Sequence, residues 1–149
     1  MSKTTAPVSQ TRRRARHYAM QAVYGWQMAG GTAMDIEASF RTEYDFGNTD
    51  TEFFREIITA VTDHCAEFDQ TLSPIVDRDL NELNGVELAL LRCAVFELAE
   101  RIDVPYKVVI NEYVALAKKF GATDGFKYIN GVLDKVAEKL RAVEVQAES

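Results

Sequence analysis

The sequence predicts an all-α protein of seven helices folded as a single domain. Apolar residues recur at helical spacing through most of the chain, and no stretch shows the apolar-polar alternation of a half-buried strand. With 149 residues, of which 47% are hydrophobic and 27% charged, the chain can form a substantial core. Connections between the predicted helices are short, so we expect neighbouring helices to pack antiparallel.

The composition argues against several functional classes. No apolar run approaches the roughly 20 residues that span a membrane, and the N-terminus lacks the apolar core of a signal peptide, so we expect a cytoplasmic protein. Cys65 and Cys93 lie in apolar helical patterns, which indicates buried free thiols. With His17 and His64 as the only histidines, zinc-ligand spacing is absent, and we expect no metal or cofactor.

Sequence motifs of catalysis are also missing. The chain contains no GxGxxG, no P-loop and no paired-carboxylate signature with a histidine. His64 and Cys65 are adjacent, but adjacent helical residues point about 100° apart and cannot form a nucleophile–base hydrogen bond. We therefore expect no catalytic residues, and a binding protein fits better than an enzyme.

Positive charge is concentrated at the start of the chain. Residues 1–34 contain five basic residues and no acid, whereas the net charge of the whole chain is −6. Four of these basic residues, Arg12, Arg13, Arg14 and Arg16, fall within one short run. Such asymmetry predicts a basic contact segment on an acidic body, and arginine clusters commonly bind phosphates.

The first helix is predicted from about Thr11 to Ala29, after a polar tail, residues 1–10, that we expect to be disordered. The helix has an apolar side of alanines, Val23 and Trp26. Its opposite side carries Arg13, His17, Gln21, Tyr24 and Gln27, with Arg16 at the edge. Cations beside an aromatic ring suit single-stranded nucleic acid. Partial burial of Tyr24 with its hydroxyl in water is the alternative, and His17 is interpreted as a surface residue.

The middle of the chain is predicted to hold three helices. A short one runs from about Ala33 to Tyr44, and a long one follows Thr49, which forms a capping-box signature with Glu52 and precedes an apolar stripe that ends at Leu72. Ser73-Pro74 breaks that helix, and a further short helix is predicted from Ile75 to Asn84.

A central helix is predicted from Gly85 to Ile102, because this segment is apolar almost all round. Asn84 and Glu87 repeat the capping-box spacing at its start. The next helix begins at Pro105 and ends before Gly121, where a positive φ is expected.

The last predicted helix follows Thr123 or Asp124 as its cap and ends near Leu140. The domain is thus expected over residues 11–141, with residues 142–149 frayed. The face of this helix away from its apolar stripe carries Asp124, Lys127, Tyr128, Gly131 and Lys135. Charge, a stacking plane and room for close approach again suit single-stranded nucleic acid, although charged helix faces are more often simply solvated.

Two stretches of the chain resemble the NusB family of bacterial transcription antitermination factors. They are RRRARHYAMQAVYGWQ near the start, and VELALLRCAVFELAERIDVPYKVVINEYVALAKKFG with KYINGVLDK in the second half. The segment from Gly30 to Asn84 resembles the family only in its helical pattern. The resemblance implies two three-helix bundles packed across each other, without enzymatic activity.

The same resemblance implies partners and contact residues. Members of the family pair with NusE, a small-subunit ribosomal protein, and the pair binds the boxA element of nascent RNA, notably ribosomal RNA transcripts; other Nus factors and RNA polymerase are indirect partners. The implied RNA-binding residues are Arg12, Arg13, Arg14, Arg16, Tyr24, Gln27, Lys127 and Tyr128, and Asp124 lies on the same face. The family usually has phenylalanine in place of Tyr128, and the best NusE candidate is Glu87.

The expected mechanism is adaptor binding. Arginines neutralise phosphates, Tyr24 and Tyr128 stack on bases, and Gln27 helps to read base identity. Two alternatives remain open: an RNA-binding helical module associated with ribosomal RNA modification or maturation, and a pure protein-interaction module.

Overall fold

A computed structural model describes residues 6–148, and within them the fold is entirely helical, as predicted. The helices are α1 (Val8–Ala29), α2 (Ala33–Glu43), α3 (Thr51–Leu72), α4 (Gly85–Glu100), α5 (Tyr106–Phe120), α6 (Gly125–Leu140) and α7 (Ala142–Ala147), with one 3-10 turn at Leu80–Glu82. Helices α1–α3 form one three-helix bundle and α4–α6 form a second, and α4 packs on both α1 and α3. None of the described helices is long and apolar enough to cross a membrane.

Helix α4 is the centre of the molecule, as its sequence predicts. Ten of its sixteen residues are buried, because it is covered by α1, α3, α5 and α6. Cys93 lies fully buried on this helix, and burial raises the pKa of its thiol. Cys65 is half-buried on α3, and both cysteines are free thiols.

A buried ionic cluster joins the two bundles. Arg16 of α1 is 3% exposed and donates from Nε and Nη2 to the two carboxylate oxygens of Glu97 on α4, both at 2.8 Å. Tyr113 of α5 donates its hydroxyl to Glu97 Oε2 at 2.5 Å. Burial and the neighbouring Glu97 carboxylate raise the pKa of Tyr113 well above its ordinary value, so the hydroxyl keeps its proton and remains a donor.

The C-terminal end of α4 is completed by a residue from much later in the chain. Arg141, which is 5% exposed, donates from Nε to Leu98 O at 2.7 Å and from Nη2 to Arg101 O at 2.9 Å and Val104 O at 3.0 Å. Carbonyl groups in the last turn of a helix have no partner within it. Arg141 therefore supplies hydrogen bonds to carbonyl groups of the last turn of α4 and of the segment that follows it.

The expectation that residues 142–149 fray is wrong for α7. The carboxylate of Glu144 accepts a hydrogen bond from Tyr106 N at 2.9 Å and another from Arg141 Nη1 at 2.6 Å. Glu144 thereby satisfies a free N–H in the first turn of α5 and fixes α7 against it. These contacts depend on residues distant in sequence, so local periodicity could not reveal them.

Helix α1 begins three residues earlier than predicted. Residues 8–10 are helical, because the Pro7 carbonyl accepts from Gln10 N and Thr11 N, both at 3.0 Å. Residues 1–5 of the expected tail lie outside the described residues.

The predicted helix from Ile75 to Asn84 is wrong, since this segment contains turns and only the short 3-10 turn. Asp79 accepts from Asn81 N at 2.9 Å, and such a side-chain bond competes with helical pairing.

Three of the expected helix ends also differ. The cap of α3 is Asp50, which accepts from Phe53 N at 3.0 Å, whereas Thr49 accepts from an arginine. Gly121 follows α5 with φ −84 in extended backbone, so it needs no left-handed conformation. Pro105 precedes the first helical residue of α5 instead of occupying it. The predicted cap at Asn84 is correct, because its Oδ1 accepts from Val86 N at 2.9 Å.

The ionic cluster gives a stability prediction. Glu97→Gln keeps the size of the side chain but leaves the buried Arg16 without its main counterion, so we expect a loss of about 3–5 kcal/mol in the free energy of unfolding. Urea unfolding followed by circular dichroism measures it. Glu138→Gln, at an exposed position of α6, is the matched control and should change stability by less than about 0.5 kcal/mol. Equal effects of the two substitutions would contradict the assigned role of Glu97.

Candidate nucleic-acid interface

The exposed side of α1 carries two of the four clustered arginines. The side chain of Arg13 is 66% exposed and pairs with Glu112 of α5, with Nε–Oε1 at 3.0 Å and Nη2–Oε2 at 3.2 Å. Arg14 donates from Nε to Thr49 Oγ1 at 3.2 Å and from Nη2 to Asp45 O at 3.3 Å. The acceptors of Arg14 are uncharged, so its positive charge is not neutralised by them.

The other two arginines, Arg12 and Arg16, point toward the interior of the protein. Arg16 belongs to the buried cluster with Glu97, so its guanidinium does not face a ligand, and its geometry does not support the expected RNA-binding role. Arg12 lies between Asp50 at 3.8 Å and Asp103 at 3.9 Å, and its guanidinium carbon is 5.5 Å from the centroid of the Phe53 ring. Arg12 is therefore half-buried beside the interface and its charge is shared with two carboxylates.

His17 is not the simple surface residue that the sequence indicates. Its ring packs against Phe120 of α5, with the two ring centroids 4.9 Å apart. It lines a groove of about 310 Å³ together with Arg13, Arg14, Glu112, Ala115, Leu116 and Lys119. Burial lowers the pKa of His17, and so do the nearby charges of Lys119 and Arg14. The groove therefore favours the neutral imidazole.

Tyr24 lies about two helical turns after His17 on the same face of α1 and is 38% exposed. Its ring covers Gly85 at the start of α4, where a Cβ would come within 2.9 Å of Tyr24 Cε1. Tyr24 also lines a second groove, of about 380 Å³, with Met20, Gln21, Phe40, Tyr44, Val86 and Phe120. The ring is thus held on one side and remains accessible for stacking.

Gln27 has a structural role that the sequence did not suggest. Its Nε2 donates to Gly85 O at 3.0 Å, and its Oε1 accepts from Arg92 Nη1 at 3.0 Å. Arg92 is itself paired with Asp69 of α3 at 2.8 Å. Because both ends of the amide are engaged within the protein, the expectation that Gln27 reads a base is not supported by its geometry. It fixes the position of Gly85, and through Gly85 that of Tyr24.

The start of α6 presents Asp124 and Lys127 side by side. Asp124 stands at the cap position, one of the two predicted, with φ 64 and ψ 3, but its side chain makes no capping hydrogen bond, so the expected capping contact is wrong. Its Oδ1 lies 3.7 Å from Lys127 Nζ, and both side chains are about 70% exposed. This loose pair reduces the positive charge that Lys127 offers to a ligand.

Tyr128 follows in the first turn of α6 and is half-buried. Its hydroxyl donates to Asp77 Oδ1 at 3.3 Å, and the Arg78 guanidinium lies 4.9 Å from the ring centroid. Burial and the Asp77 carboxylate raise the pKa of Tyr128. Arg78 covers part of the ring, so stacking of a base there requires Arg78 to move or to join the stack. The segment around Arg78 gave no signal of this contact in the sequence.

The first turn of α4 lies between the exposed face of α1 and the start of α6 and contacts both. Gly85 lies under Tyr24, and Oε2 of Glu87 contacts Gly125 at the start of α6. The end of α5 contributes two lysines, with Lys118 Nζ 5.0 Å from the Phe126 centroid and Lys119 Nζ 5.2 Å from the Phe120 centroid. Sequence reasoning missed these lysines, although their position in the last turn of α5 was visible.

These contacts form one surface, which we call the basic strip. It consists of Arg13, Arg14, His17 and Tyr24 of α1, Lys118, Lys119 and Phe120 of α5, and Lys127 and Tyr128 of α6. It combines cations with aromatic rings, which is the chemistry that binds the phosphates and bases of a single strand.

Comparisons with known proteins agree on one family. Residues 13–138 match the NusB family. The transcription antitermination protein NusB of Pseudomonas savastanoi pv. phaseolicola is 54% identical over 139 residues, which cover 93% of this chain and 84% of that protein. The protein of the same name from Teredinibacter turnerae is 54% identical over 138 residues, covering 92% and 94%. The solved structure of T. maritima NusB matches with a TM-score of 0.75 at 27% identity, covering 91% of this chain and 93% of that one.

The geometry of Gln27 generates a prediction. Gln27→Ala leaves Gly85 O and Arg92 Nη1 without their partner, so we expect a loss of about 1–3 kcal/mol in the free energy of unfolding. Gln21→Ala on the same helix, at a position without such bonds among the described contacts, should cost less than about 0.5 kcal/mol. Thermal unfolding of both variants decides between a structural and a purely RNA-reading Gln27; unchanged stability of Gln27→Ala would favour the latter.

Proposed function

Since the chain belongs to the NusB family, we propose that it binds the boxA element of nascent RNA together with the ribosomal protein NusE. It is a transcription antitermination factor and not an enzyme, as its relatives are named. In this proposal the protein is an adaptor: its contacts hold RNA and NusE together so that RNA polymerase reads through terminators. Because nascent RNA is made in the bacterial cytoplasm, we expect the protein to act there.

The observation that carries the RNA part of the proposal is the basic strip on an acidic protein. The chain has a net charge of −6, so it repels nucleic acid except where cations are grouped. Lys118, Lys119 and Arg14 are grouped with Tyr24, His17 and Phe120, and the exposed Arg13 adds a positive charge that its partner Glu112 offsets. Affinity from such contacts falls with rising salt, because phosphate neutralisation releases counterions.

The proposed contact with NusE lies beside the strip, at the first turn of α4. Glu87 is half-buried against Gly125 and makes no salt bridge among the described residues, although the charge of Arg78 interacts with it. A carboxylate in this position suits a basic partner, as ribosomal proteins generally are. A partner bound there lies next to Tyr24 and Lys127 and can contact the same RNA strand, which explains how NusE would increase affinity.

Fluorescence anisotropy tests the proposal directly. A boxA-like single strand and a scrambled strand of equal length are titrated with the protein, with and without NusE, at two salt concentrations. We expect preference for the boxA-like strand, tighter binding with NusE, and weaker binding at higher salt. Weak binding that is indifferent to both sequence and NusE would contradict the proposal.

Tyr24 provides a prediction about stacking. Tyr24→Ala removes an exposed ring from the basic strip, and we expect RNA affinity to fall by about 1–3 kcal/mol, the range found for stacked bases. Tyr106→Ala is the control, because Tyr106 lies at the opposite end of α5, beside Glu148. Anisotropy gives both values, and circular dichroism checks folding. Equal effects of the two substitutions would mean that Tyr24 does not stack on RNA.

Asp124 provides a prediction of opposite sign. Asp124→Asn keeps a residue type that tolerates φ 64, removes a negative charge beside the basic strip and frees Lys127. We expect RNA binding to tighten by up to about fivefold, since exposed charge interactions contribute roughly 0.2–1 kcal/mol. Asp134→Asn, further along α6, should leave the affinity unchanged. Weaker or unchanged RNA binding by a folded Asp124→Asn variant would place Asp124 away from the RNA.

A further inference from the structure

The groove between α1 and α5 has an excess of positive charge. Arg14 and Lys119 both repel a proton on His17. The hydrogen bonds of Arg14 go to Thr49, Tyr18 and a backbone carbonyl, all of them uncharged. Lys119 makes no salt bridge among the described residues. The groove therefore gathers two cations around an imidazole without a counterion of their own.

The remaining charged groups of the groove neutralise one another. Arg13 of α1 is bonded to Glu112 of α5 at 3.0 Å, and Glu112 also lies 3.4 Å from Arg16. No carboxylate is a cause of the pKa shift of His17. The other groups packed on the imidazole are the rings of Tyr18, 5.6 Å away, and Phe120, 4.9 Å away between centroids. The groove thus holds aromatic rings and two cations without a salt-bridge partner, and its one carboxylate, Glu112, is already paired with Arg13 and Arg16.

We propose that Arg14, His17 and Lys119 form a subsite for one backbone phosphate of RNA, and that His17 takes up a proton when the phosphate binds. The inference rests on the proposed RNA-binding function. It adds where one phosphate binds and which residue is protonated on binding. A phosphate fits because it is a compact oxyanion whose several oxygens accept from donors on different sides. Phe120, whose ring packs on His17, also lines the groove beside Tyr24, so a strand with a base on Tyr24 can place a neighbouring phosphate here.

The proton uptake follows from the charges in the groove. In the free protein, burial, Lys119 and Arg14 all lower the pKa of His17. A bound phosphate offsets the two cations and adds an acceptor for a ring N–H, so it favours the imidazolium. The pKa of His17 is therefore higher in the complex than in the free protein. By linkage, RNA affinity rises as the pH falls from the pKa of the complex to that of the free protein, and is level above this window.

The chain has two histidines, so His64 serves as an internal control for His17. His64 is exposed on α3, paired with Glu67 at 3.3 Å, and absent from the basic strip. We would follow the imidazole signals of both by NMR through a pH titration of the whole protein. The titration is done alone, with a saturating boxA-like strand, and with inorganic phosphate at the same total phosphate concentration. We expect RNA to raise the pKa of His17 and to leave His64 unchanged.

Substitutions test whether the pKa of His17 is linked to RNA affinity. RNA affinity should increase up to tenfold for each unit by which RNA raises the pKa of His17. His17→Gln should abolish this pH dependence, and His64→Gln should retain it. Lys119→Gln should raise the pKa of His17 in the free protein and reduce the slope of log affinity against log salt by about 0.7, the value for one phosphate of a single strand. Lys139→Gln, an exposed lysine at the end of α6, should do neither.

The possible results separate the subsite from the wider function. RNA binding with an unchanged pKa of His17, or with equal shifts of both histidines, would overturn the subsite and leave the RNA-binding proposal standing. A shift caused by inorganic phosphate but not by RNA would overturn the assignment to the RNA backbone. Failure of the unaltered protein to bind RNA even with NusE present would overturn both proposals.

Discussion

The buried contact between Arg16 and Glu97 is the constraint on which the rest of the arrangement depends. Desolvating two opposite charges is costly, and the cost is offset only when the geometry satisfies both groups. Here both carboxylate oxygens accept from the guanidinium at 2.8 Å, and Tyr113 donates to the same carboxylate. The cluster fixes the rotation of α1 against α4 and α5. That rotation decides which side of α1 faces solvent.

The rotation of α1 determines which of its residues are exposed. With Arg16 turned inward, Arg13 and Arg14 lie on the outer face, and His17 and Tyr24 continue that face along the helix. Gln27 then bonds α1 to the start of α4, which places Gly85 under the Tyr24 ring. The surface that we assign to RNA is therefore positioned by polar contacts made inside the protein. Substitutions at these buried positions can change RNA binding without touching RNA.

Much of the fold could be predicted from the sequence, because helical periodicity and caps are local signals. The apolar character of α4 indicated a central helix, and Asn84 was identified as its cap. The structure differs where a partner is distant in sequence: Glu97 lies 81 residues after Arg16, and Arg92 lies 65 residues after Gln27. Helical geometry placed Arg16 at the edge of the basic face but could not show which way it turned. The short segment before α4 was mispredicted because Asp79 uses its carboxylate to bond the local backbone.

The candidate site was predicted in outline for the same reason. Helical spacing predicted the polar faces of α1 and α6, and the resemblance to the NusB family implied that both contact RNA. Lys119 was missed because it acts from the end of α5, and Arg78 because it belongs to the irregular segment that covers Tyr128.

The hydrogen bonds of Arg141 have a consequence for the order in which the protein is made. Synthesis proceeds from the N-terminus, so α4 leaves the ribosome well before Arg141 does. Until that residue emerges, the carbonyl groups of Leu98, Arg101 and Val104 lack the donor that satisfies them in the folded protein. The centre of the molecule therefore cannot reach its final state while the chain is being elongated through α5 and α6. Completion of the central helix is a late event of synthesis, even though that helix lies near the middle of the sequence.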